Sequence, residues 1–326
     1  MPEPGHVVDN GRFDSELACH VPNLAPTDFT DPERSRADGL AAFRARGLHV
    51  PEESELHIED RLVPGLCAQA PPVKIRIYRP HGPGPLPAVL WIHGGCFVRG
   101  AVEIDHPEAA RAAAELRAVV VSVDYRLAPE HPYPAAIDDC QAALQWLVCE
   151  VEDVASDRVA VVGISAGGGL AAALAMRVRD RGAPALCLQA LVIPMLDDRL
   201  DTPSMREFTD LRIFSRGVAE AGWQHYLGGA GISGEPPPDA APGRSPDLTD
   251  LPPAYLCTAE LDPLRDEGID YAVRLTRAGV SVELHQFPGT FHGSQFVVRD
   301  AAISRRMCDE LYASLARSFS RRAPLL

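Results

Sequence analysis

The chain has 326 residues, 46% of them hydrophobic and 23% charged, and its formal net charge is −14 at pH 7. This balance is typical of a globular protein with a sizeable core, and the acidic charge disfavours nucleic acid and anionic lipid surfaces as partners. No apolar run is long enough to span a membrane, and the first residues lack the pattern of a signal peptide. The eight cysteines are scattered, without a C-x-x-C pair or metal-like spacing, which predicts a cytoplasmic protein without a metal site.

The first part of the chain, residues 1–55, is polar and proline-rich, with one helical pattern over residues 37–46. This pattern fits either a mobile tail or a helical flap over another part of the protein. From His57 onward, residues 57–63 and 73–78 alternate apolar and polar side chains, as half-buried antiparallel strands do. The sequence therefore predicts that the sheet begins near residue 57.

The middle and the end of the chain alternate buried strands with helices. Continuous apolar runs, typical of strands buried on both faces, lie at residues 88–92, 118–123, 159–162, 185–194 and 254–259. Helical patterns separate them, and an alternating edge strand at residues 280–287 precedes a C-terminal helix at residues 301–318. This order predicts an α/β fold with a mostly parallel sheet covered by helices on both faces, and active residues at the carboxyl ends of its strands.

One stretch, residues 197–250, interrupts that alternation. It is rich in Asp, Pro and Gly, and it carries aromatic residues at Phe208, Phe214, Trp223 and Tyr226. Burying these rings against a ligand or against one another would be favourable. We therefore expect an insertion that, together with the N-terminal segment, covers the active residues.

A candidate nucleophile lies where the strand at residues 159–162 passes through Gly-Ile-Ser-Ala-Gly into an Ala- and Leu-rich helix. Strand, G-x-S-x-G and helix in this order form a nucleophile elbow, in which a serine on a strained turn projects its hydroxyl above the sheet. A phosphate loop is disfavoured, because no Lys-Ser/Thr follows the glycines and G-x-G-x-x-G is absent. We predict that Ser165 is the nucleophile.

A serine hydroxyl is a weak nucleophile unless a base takes its proton, and after such an elbow the acid and then the histidine follow along the chain. Asp262 follows a buried strand, and His292 lies in the loop after the last strand. Glu260 and Asp266 are close alternatives for the acid, and Asp262 could instead cap the next helix. We predict that Ser165, Asp262 and His292 act together as nucleophile, acid and base.

Backbone donors for an oxyanion are expected in the loop Ile-His-Gly-Gly-Cys-Phe, which follows the third strand. The expected donors are the N–H groups of Gly95 and Cys96, joined by that of Ala166 after the nucleophile, while Gly94 shapes the loop. His93 is expected to bond the loop to itself.

Five short motifs occur in order at residues 93–97 (His-Gly-Gly-Cys-Phe), 125–130 (Tyr-Arg-Leu-Ala-Pro-Glu), 163–168 (Gly-Ile-Ser-Ala-Gly-Gly), 261–266 (Leu-Asp-Pro-Leu-Arg-Asp) and 291–293 (Phe-His-Gly). The set resembles that of the hormone-sensitive-lipase-like esterases, bacterial family IV of the α/β-hydrolase superfamily. The resemblance covers about residues 57–325. It implies an α/β-hydrolase fold with a mostly parallel eight-stranded sheet, no cofactor and often a homodimer.

The same resemblance implies a division of the chain. A catalytic domain would comprise residues 56–196 and 246–326, and a helical cap would comprise residues 1–55 and the insertion at residues 197–245. Two departures from the family pattern stand out. Cys96 takes the place of the usual third glycine, which lets us expect a small buried thiol at the pocket. Ile164 takes the place of the Asp or Thr that many members carry before the nucleophile.

The function implied is hydrolysis of short- to medium-chain acyl or aryl esters, of the acetyl type, through an acyl-enzyme. An amidase or arylamidase using the same groups is one alternative, since His292 could also protonate a leaving nitrogen. A non-catalytic small-molecule receptor on the same fold is another, although such receptors lack the histidine. Substrate contacts are expected from four aromatic residues, Phe97, Phe208, Phe214 and Trp223.

Overall fold

The computed structural model describes residues 10–45, 55–210, 212–228 and 235–320. Within these ranges lie eight strands, β1 (Leu56–Val63), β2 (Val73–Pro80), β3 (Leu86–Ile92), β4 (Val119–Asp124), β5 (Val154–Ile164), β6 (Leu188–Val192), β7 (Ala254–Leu261) and β8 (Val282–Phe291). They form one sheet in the order β1-β2-β4-β3-β5-β6-β7-β8. β2 runs antiparallel to β1 and to β4, while the strands from β4 to β8 pair in parallel. The predicted eight-stranded, mostly parallel sheet is confirmed.

The same ranges contain the helices α1 (Ser15–Ala18), α2 (Pro32–Ala45), α3 (His106–Leu116), α4 (Ala135–Glu150), α5 (Ala166–Arg181), α6 (Pro203–Glu207), α7 (Arg216–Tyr226), α8 (Arg265–Arg277), α9 (Ser294–Val297) and α10 (Ala302–Ser320). Short 3₁₀ turns occupy Asn10–Arg12, Val21–Asn23 and Pro242–Arg244. No helix among the described residues is both long and apolar enough to cross a membrane.

Two apolar layers enclose the central strands. Alternate side chains of a strand point to opposite faces, so Val121 and Val161 enter the layer under α4, α5 and α8. Val120 and Val162 enter the opposite layer, under α3 and α10. Because both faces are covered, the paired central parts of these strands are almost entirely apolar, as in parallel strands of this class.

The N-terminal segment packs on the sheet rather than trailing from it. Phe13, Leu17 and Val21 form a third apolar cluster with Phe208 of the insertion and Phe291 at the end of β8. The segment therefore lies at the carboxyl ends of the strands, next to His292. The division of the chain into a cap and a catalytic domain stays a prediction. Parts of both predicted segments lie outside the described residues, namely residues 1–9, 46–54, 211, 229–234 and 321–326.

Candidate active site

Ser165 lies on the sharp turn between β5 and α5, with φ 56° and ψ −117°. Neighbouring backbone atoms lie so close to this turn that Gly163 and Gly167 cannot carry side chains. A Cβ atom at Gly163 would lie 2.0 Å from the carbonyl oxygen of Gly167, and one at Gly167 would lie 2.2 Å from the carbonyl oxygen of Ile92. This positive φ is the strained conformation that a nucleophile elbow imposes, so the local geometry matches the sequence pattern.

The structure brings Ser165, His292 and Asp262 into one hydrogen-bonded series. The hydroxyl oxygen of Ser165 lies 2.9 Å from Nε2 of His292, and Nδ1 of the same ring lies 2.7 Å from Oδ2 of Asp262. The other carboxylate oxygen of Asp262 accepts the N–H of Leu264 at 2.9 Å. Since Asp262 is buried, its carboxylate holds the imidazole with the proton on Nδ1 and leaves Nε2 to accept the serine proton.

The alternative acids are engaged elsewhere. Glu260 accepts the backbone N–H of Gly289 at 2.7 Å. Asp266 accepts the N–H of Ser204 at 2.8 Å and the Nε–H of Arg265 at 2.8 Å. Of the three candidate carboxylates, it is Asp262 that bonds the histidine.

The glycine-rich loop after β3 passes directly beside the elbow. A Cβ atom at Gly94 would lie 3.3 Å from the Cβ atom of Ser165, and Gly95 has φ 124°. Within the described part of the chain, the N–H groups of Gly95 and Cys96 donate no hydrogen bond. Ala166 opens α5, where the first N–H groups lack partners in the helix. Their assignment as oxyanion donors stays a prediction, and unused donors beside the nucleophile are what it requires.

Cys96 lines the inner cavity, and its sulfur contacts Met195 and the start of α7. Its sulfur lies 3.8 Å from the sulfur of Met195 and 4.0 Å from the carbonyl oxygen of Val218. A Cβ atom at Gly222 of α7 would lie 2.9 Å from the Cβ atom of Cys96. Burial raises the pKa of this thiol to about 12, so it is a neutral packing group at neutral pH.

His93 bonds within its own loop, where Nδ1 lies 2.8 Å from the carbonyl oxygen of Gly94. Its ring stacks on Tyr125 with centroids 4.1 Å apart, and the Tyr125 hydroxyl donates to the His93 carbonyl oxygen at 3.0 Å. These contacts fix the loop, as expected from the sequence.

Two adjoining cavities meet at this site. An inner cavity of about 210 Å³ contains Ser165 and the oxyanion loop. An outer cavity of about 470 Å³ lies against α2. Both cavities are lined by six shared residues, Thr27, Phe43, Arg99, Ile104, Phe214 and His292.

Only one of the four predicted substrate-contacting aromatic residues lines these cavities. Phe214 lines both and stacks on His292 with ring centroids 4.3 Å apart. Phe97, Phe208 and Trp223 do not line either cavity, so substrate contact by these three residues stays a prediction without support from the cavities. Phe97 stacks on Tyr226 with centroids 3.9 Å apart, and Trp223 packs against the same pair.

Phe208 is buried in the third apolar cluster, below the guanidinium groups of Arg12 and Arg265. The rings of Phe97, Phe208 and Trp223 are thus buried against other side chains of the protein and do not face the cavities. The insertion therefore covers the site mainly through Phe214.

Sequence reasoning expected the N-terminal segment to cover the site but named none of its lining residues, and it missed the far end of the oxyanion loop. Thr27, Phe29 and Phe43 line the inner cavity, as does Arg99, three residues after Cys96. The aromatic residues of a polar N-terminal segment were the available signal for the first group. A charged residue in an otherwise apolar and glycine-rich loop was the signal for Arg99.

Part of the wall of the inner cavity carries ionisable side chains. Arg299 forms an ion pair with Glu108, and Asp105 accepts the indole N–H of Trp91 at 3.0 Å. Burial raises the pKa of both carboxyl groups. This part of the wall is therefore polar, and its carboxylates are already bound by Arg299 and Trp91.

Among the residues that the structure describes, one group of three could hold a metal ion. Glu283, His285 and Glu310 offer ligand atoms within 4.8 Å of one another. Glu283 and His285 lie near the start of β8, at the opposite end of the strand from His292. The carboxylate of Glu283 is already paired with Arg317, so this group has no part in the site around Ser165.

Comparison with known proteins gives the family of this chain. A family model described as the alpha/beta hydrolase fold matches residues 89–296. Carboxylesterase NlhH of Mycobacterium tuberculosis is 44% identical over 279 residues, which cover 82% of this chain and 84% of that protein. Esterase LipI of the same species is 41% identical over 264 residues, covering 78% and 81%. The solved structure of bacterial heroin esterase superposes with a TM-score of 0.91 at 43% identity, covering 95% of this chain and 99% of that one. The chain therefore belongs to the hormone-sensitive-lipase-like esterases, bacterial family IV of the α/β-hydrolase superfamily.

Proposed function

We propose that this chain is a serine carboxylesterase that hydrolyses short- to medium-chain acyl or aryl esters through an acyl-enzyme. Carboxylic ester hydrolysis is the reaction class that its relatives share by name. The observation that carries the choice of residues is the hydrogen-bonded series from Ser165 through His292 to Asp262.

In the proposed mechanism, Nε2 of His292 takes the hydroxyl proton of Ser165 as the oxygen attacks the ester carbonyl carbon. Asp262 holds the ring in the required tautomer and stabilises the imidazolium. The carbonyl oxygen becomes an oxyanion, which the backbone N–H groups of Gly95, Cys96 and Ala166 are placed to receive. His292 then gives its proton to the departing alcohol, and a water molecule repeats the sequence on the acyl-enzyme.

The size of the site supports small substrates. The inner cavity has a volume of about 210 Å³, and the Glu108–Arg299 ion pair forms part of its wall. A pocket of this size fits a short acyl group, and the larger outer cavity beside His292 suits the alcohol or aryl half.

The experiment is turnover of 4-nitrophenyl acetate combined with labelling by an organophosphate. We expect Ser165→Ala to lower kcat by several orders of magnitude without loss of fold, and intact-protein and peptide mass spectrometry to place the adduct on Ser165. Ser156→Ala, a change to an exposed serine of β5, is the matched control and should behave as the unaltered protein. An adduct on another serine would contradict the proposal. A matched nitroanilide distinguishes an arylamidase, which would cleave it at a comparable rate.

A further inference from the structure

Arg99 is a charged residue at the junction of the two cavities. It lies just beyond the oxyanion loop and lines both the inner cavity and the outer one. Its guanidinium carbon lies 5.3 Å from the ring centroid of Phe29. A Cβ atom at Gly39 of α2 would lie 3.9 Å from its Cδ. The side chain is therefore held between the loop and the N-terminal segment, at the edge of the space that a substrate would occupy.

No carboxylate of the described residues pairs with this guanidinium. The three carboxylates that line the cavities face other groups. Asp38 lies 3.6 Å from Arg34, Asp105 accepts from Trp91, and Glu108 pairs with Arg299. Burial lowers the pKa of Arg99, but an arginine stays charged at neutral pH.

Other arginines near the site are neutralised by the protein itself. Arg212 borders the outer cavity and lies 2.5 Å from Asp210. Arg36 of α2 binds Glu130 through two nitrogens, at 2.6 and 3.0 Å. A partly buried charge without a partner costs free energy. Among the described arginines that line the two cavities, Arg99 is thus the one without a carboxylate partner.

We propose that Arg99 recognises a carboxylate on the alcohol half of the ester substrate, so that the preferred substrates are acyl esters of hydroxycarboxylic acids. This inference rests on the proposed esterase function. A planar guanidinium binds a carboxylate through two parallel N–H donors, which gives both charge complementarity and orientation. Thr27 lines the same two cavities as Arg99.

The position of Arg99 favours the alcohol half. An acyl chain would extend into the inner cavity, where Glu108 already forms an ion pair and Asp105 already accepts a hydrogen bond from Trp91. We expect the alcohol to leave through the outer cavity, which His292 and Arg99 also line. A negative charge is therefore favoured on the leaving group, next to the guanidinium that no described carboxylate pairs.

The test compares 4-acetoxybenzoate with its methyl ester, methyl 4-acetoxybenzoate, at pH 7.5. The unaltered enzyme should show a kcat/KM for the anion at least about tenfold above that for the neutral ester, since a charge-assisted pair is among the stronger hydrogen bonds. Arg99→Met should abolish that ratio, and Arg99→Lys should restore part of it. Arg212→Met, which removes an arginine that Asp210 already pairs, should leave the ratio as in the unaltered enzyme. An anion-to-neutral ratio at or below one, or a ratio that Arg99→Met does not change, would overturn the proposal.

A binding measurement separates this inference from the esterase function. Calorimetry of Ser165→Ala with 4-hydroxybenzoate and with methyl 4-hydroxybenzoate should show tighter binding of the anion, and addition of Arg99→Met should remove the difference. If the unaltered protein hydrolyses no ester, the proposed function fails while calorimetry still decides on Arg99. If neutral esters are hydrolysed and Ser165→Ala binds both ligands equally, the esterase proposal stands and the role of Arg99 is overturned.

Discussion

The imidazole ring of His292 lies stacked on the phenyl ring of Phe214, with the ring centroids 4.3 Å apart and the planes inclined by 29°. Asp262 and Ser165 bond the two nitrogen atoms of the imidazole, and Phe214 covers one of its faces. The insertion thus holds the proposed base in place and also forms a wall of both cavities.

Replacing Phe214 by alanine should lower kcat by about tenfold, because a proposed base that can tilt loses alignment with the serine hydroxyl. Phe214→Leu, which keeps apolar bulk, should lose less. The measurement is kcat and KM with 4-nitrophenyl acetate, with circular dichroism to check the fold. An unchanged kcat in Phe214→Ala would mean that Asp262 alone orients the ring.

Replacing Asp262 by asparagine should lower kcat by roughly 10³- to 10⁴-fold, because the amide favours the wrong histidine tautomer. Glu260→Gln is the matched control, since Glu260 bonds the backbone N–H of Gly289 and not the ring. It should lower thermal stability more than turnover. The opposite result, with turnover lost in Glu260→Gln and kept in Asp262→Asn, would identify Glu260 as the acid.

The Cys96 thiol should resist alkylation in the folded protein. Its pKa is raised to about 12 by burial, so the thiol stays protonated below that pH and the reactive thiolate is scarce at pH 8. Iodoacetamide should first modify the exposed Cys19, Cys67 and Cys149, with turnover retained. Peptide mass spectrometry follows each site, and the unfolded protein is the control in which all cysteines react. Loss of turnover in step with Cys96 alkylation would contradict this assignment.

Phe43 of α2 should limit the length of the substrate, because it lines both cavities. Phe43→Ala should shift the preference toward longer chains in a series of 4-nitrophenyl esters from acetate to decanoate. Phe13→Ala is the control. Its ring meets Phe291 edge-on at 6.0 Å, in the apolar cluster beneath the N-terminal segment, so stability should fall while the chain-length profile stays. A profile that Phe43→Ala leaves unchanged would show that α2 does not set substrate size.

The fold could be predicted, and the reacting groups could be proposed, because most of their signals are local. Around Ser165, the signals are a strand, two glycines and a helix, which follow one another directly in the sequence. Each is a feature that a nucleophile elbow needs. The placement of His292 followed from chain order, since parallel strands bring their carboxyl ends to one edge.

The walls of the site could not be predicted in the same way. Phe97 and Trp223 look like Phe214 in sequence, but the first two pack against Tyr226 where α7 crosses the oxyanion loop. Phe43 comes from a segment more than 100 residues before the nucleophile. Which ring meets a ligand depends on how distant helices pack, and this is not encoded in the local pattern.

The guanidinium of Arg36 joins α2 to the loop that follows the oxyanion donors. It donates to the carbonyl oxygen of Val98 at 2.7 Å and to that of Ala128 at 2.8 Å, and it also binds Glu130. A movement of α2 away from this loop would break these bonds. Opening of α2 to admit a substrate is then coupled to binding of the oxyanion at the loop, and each equilibrium changes the other by the same free energy. A molecule that mimics the oxyanion should therefore hold the N-terminal segment closed, and a change that loosens that segment should weaken the binding of such a mimic.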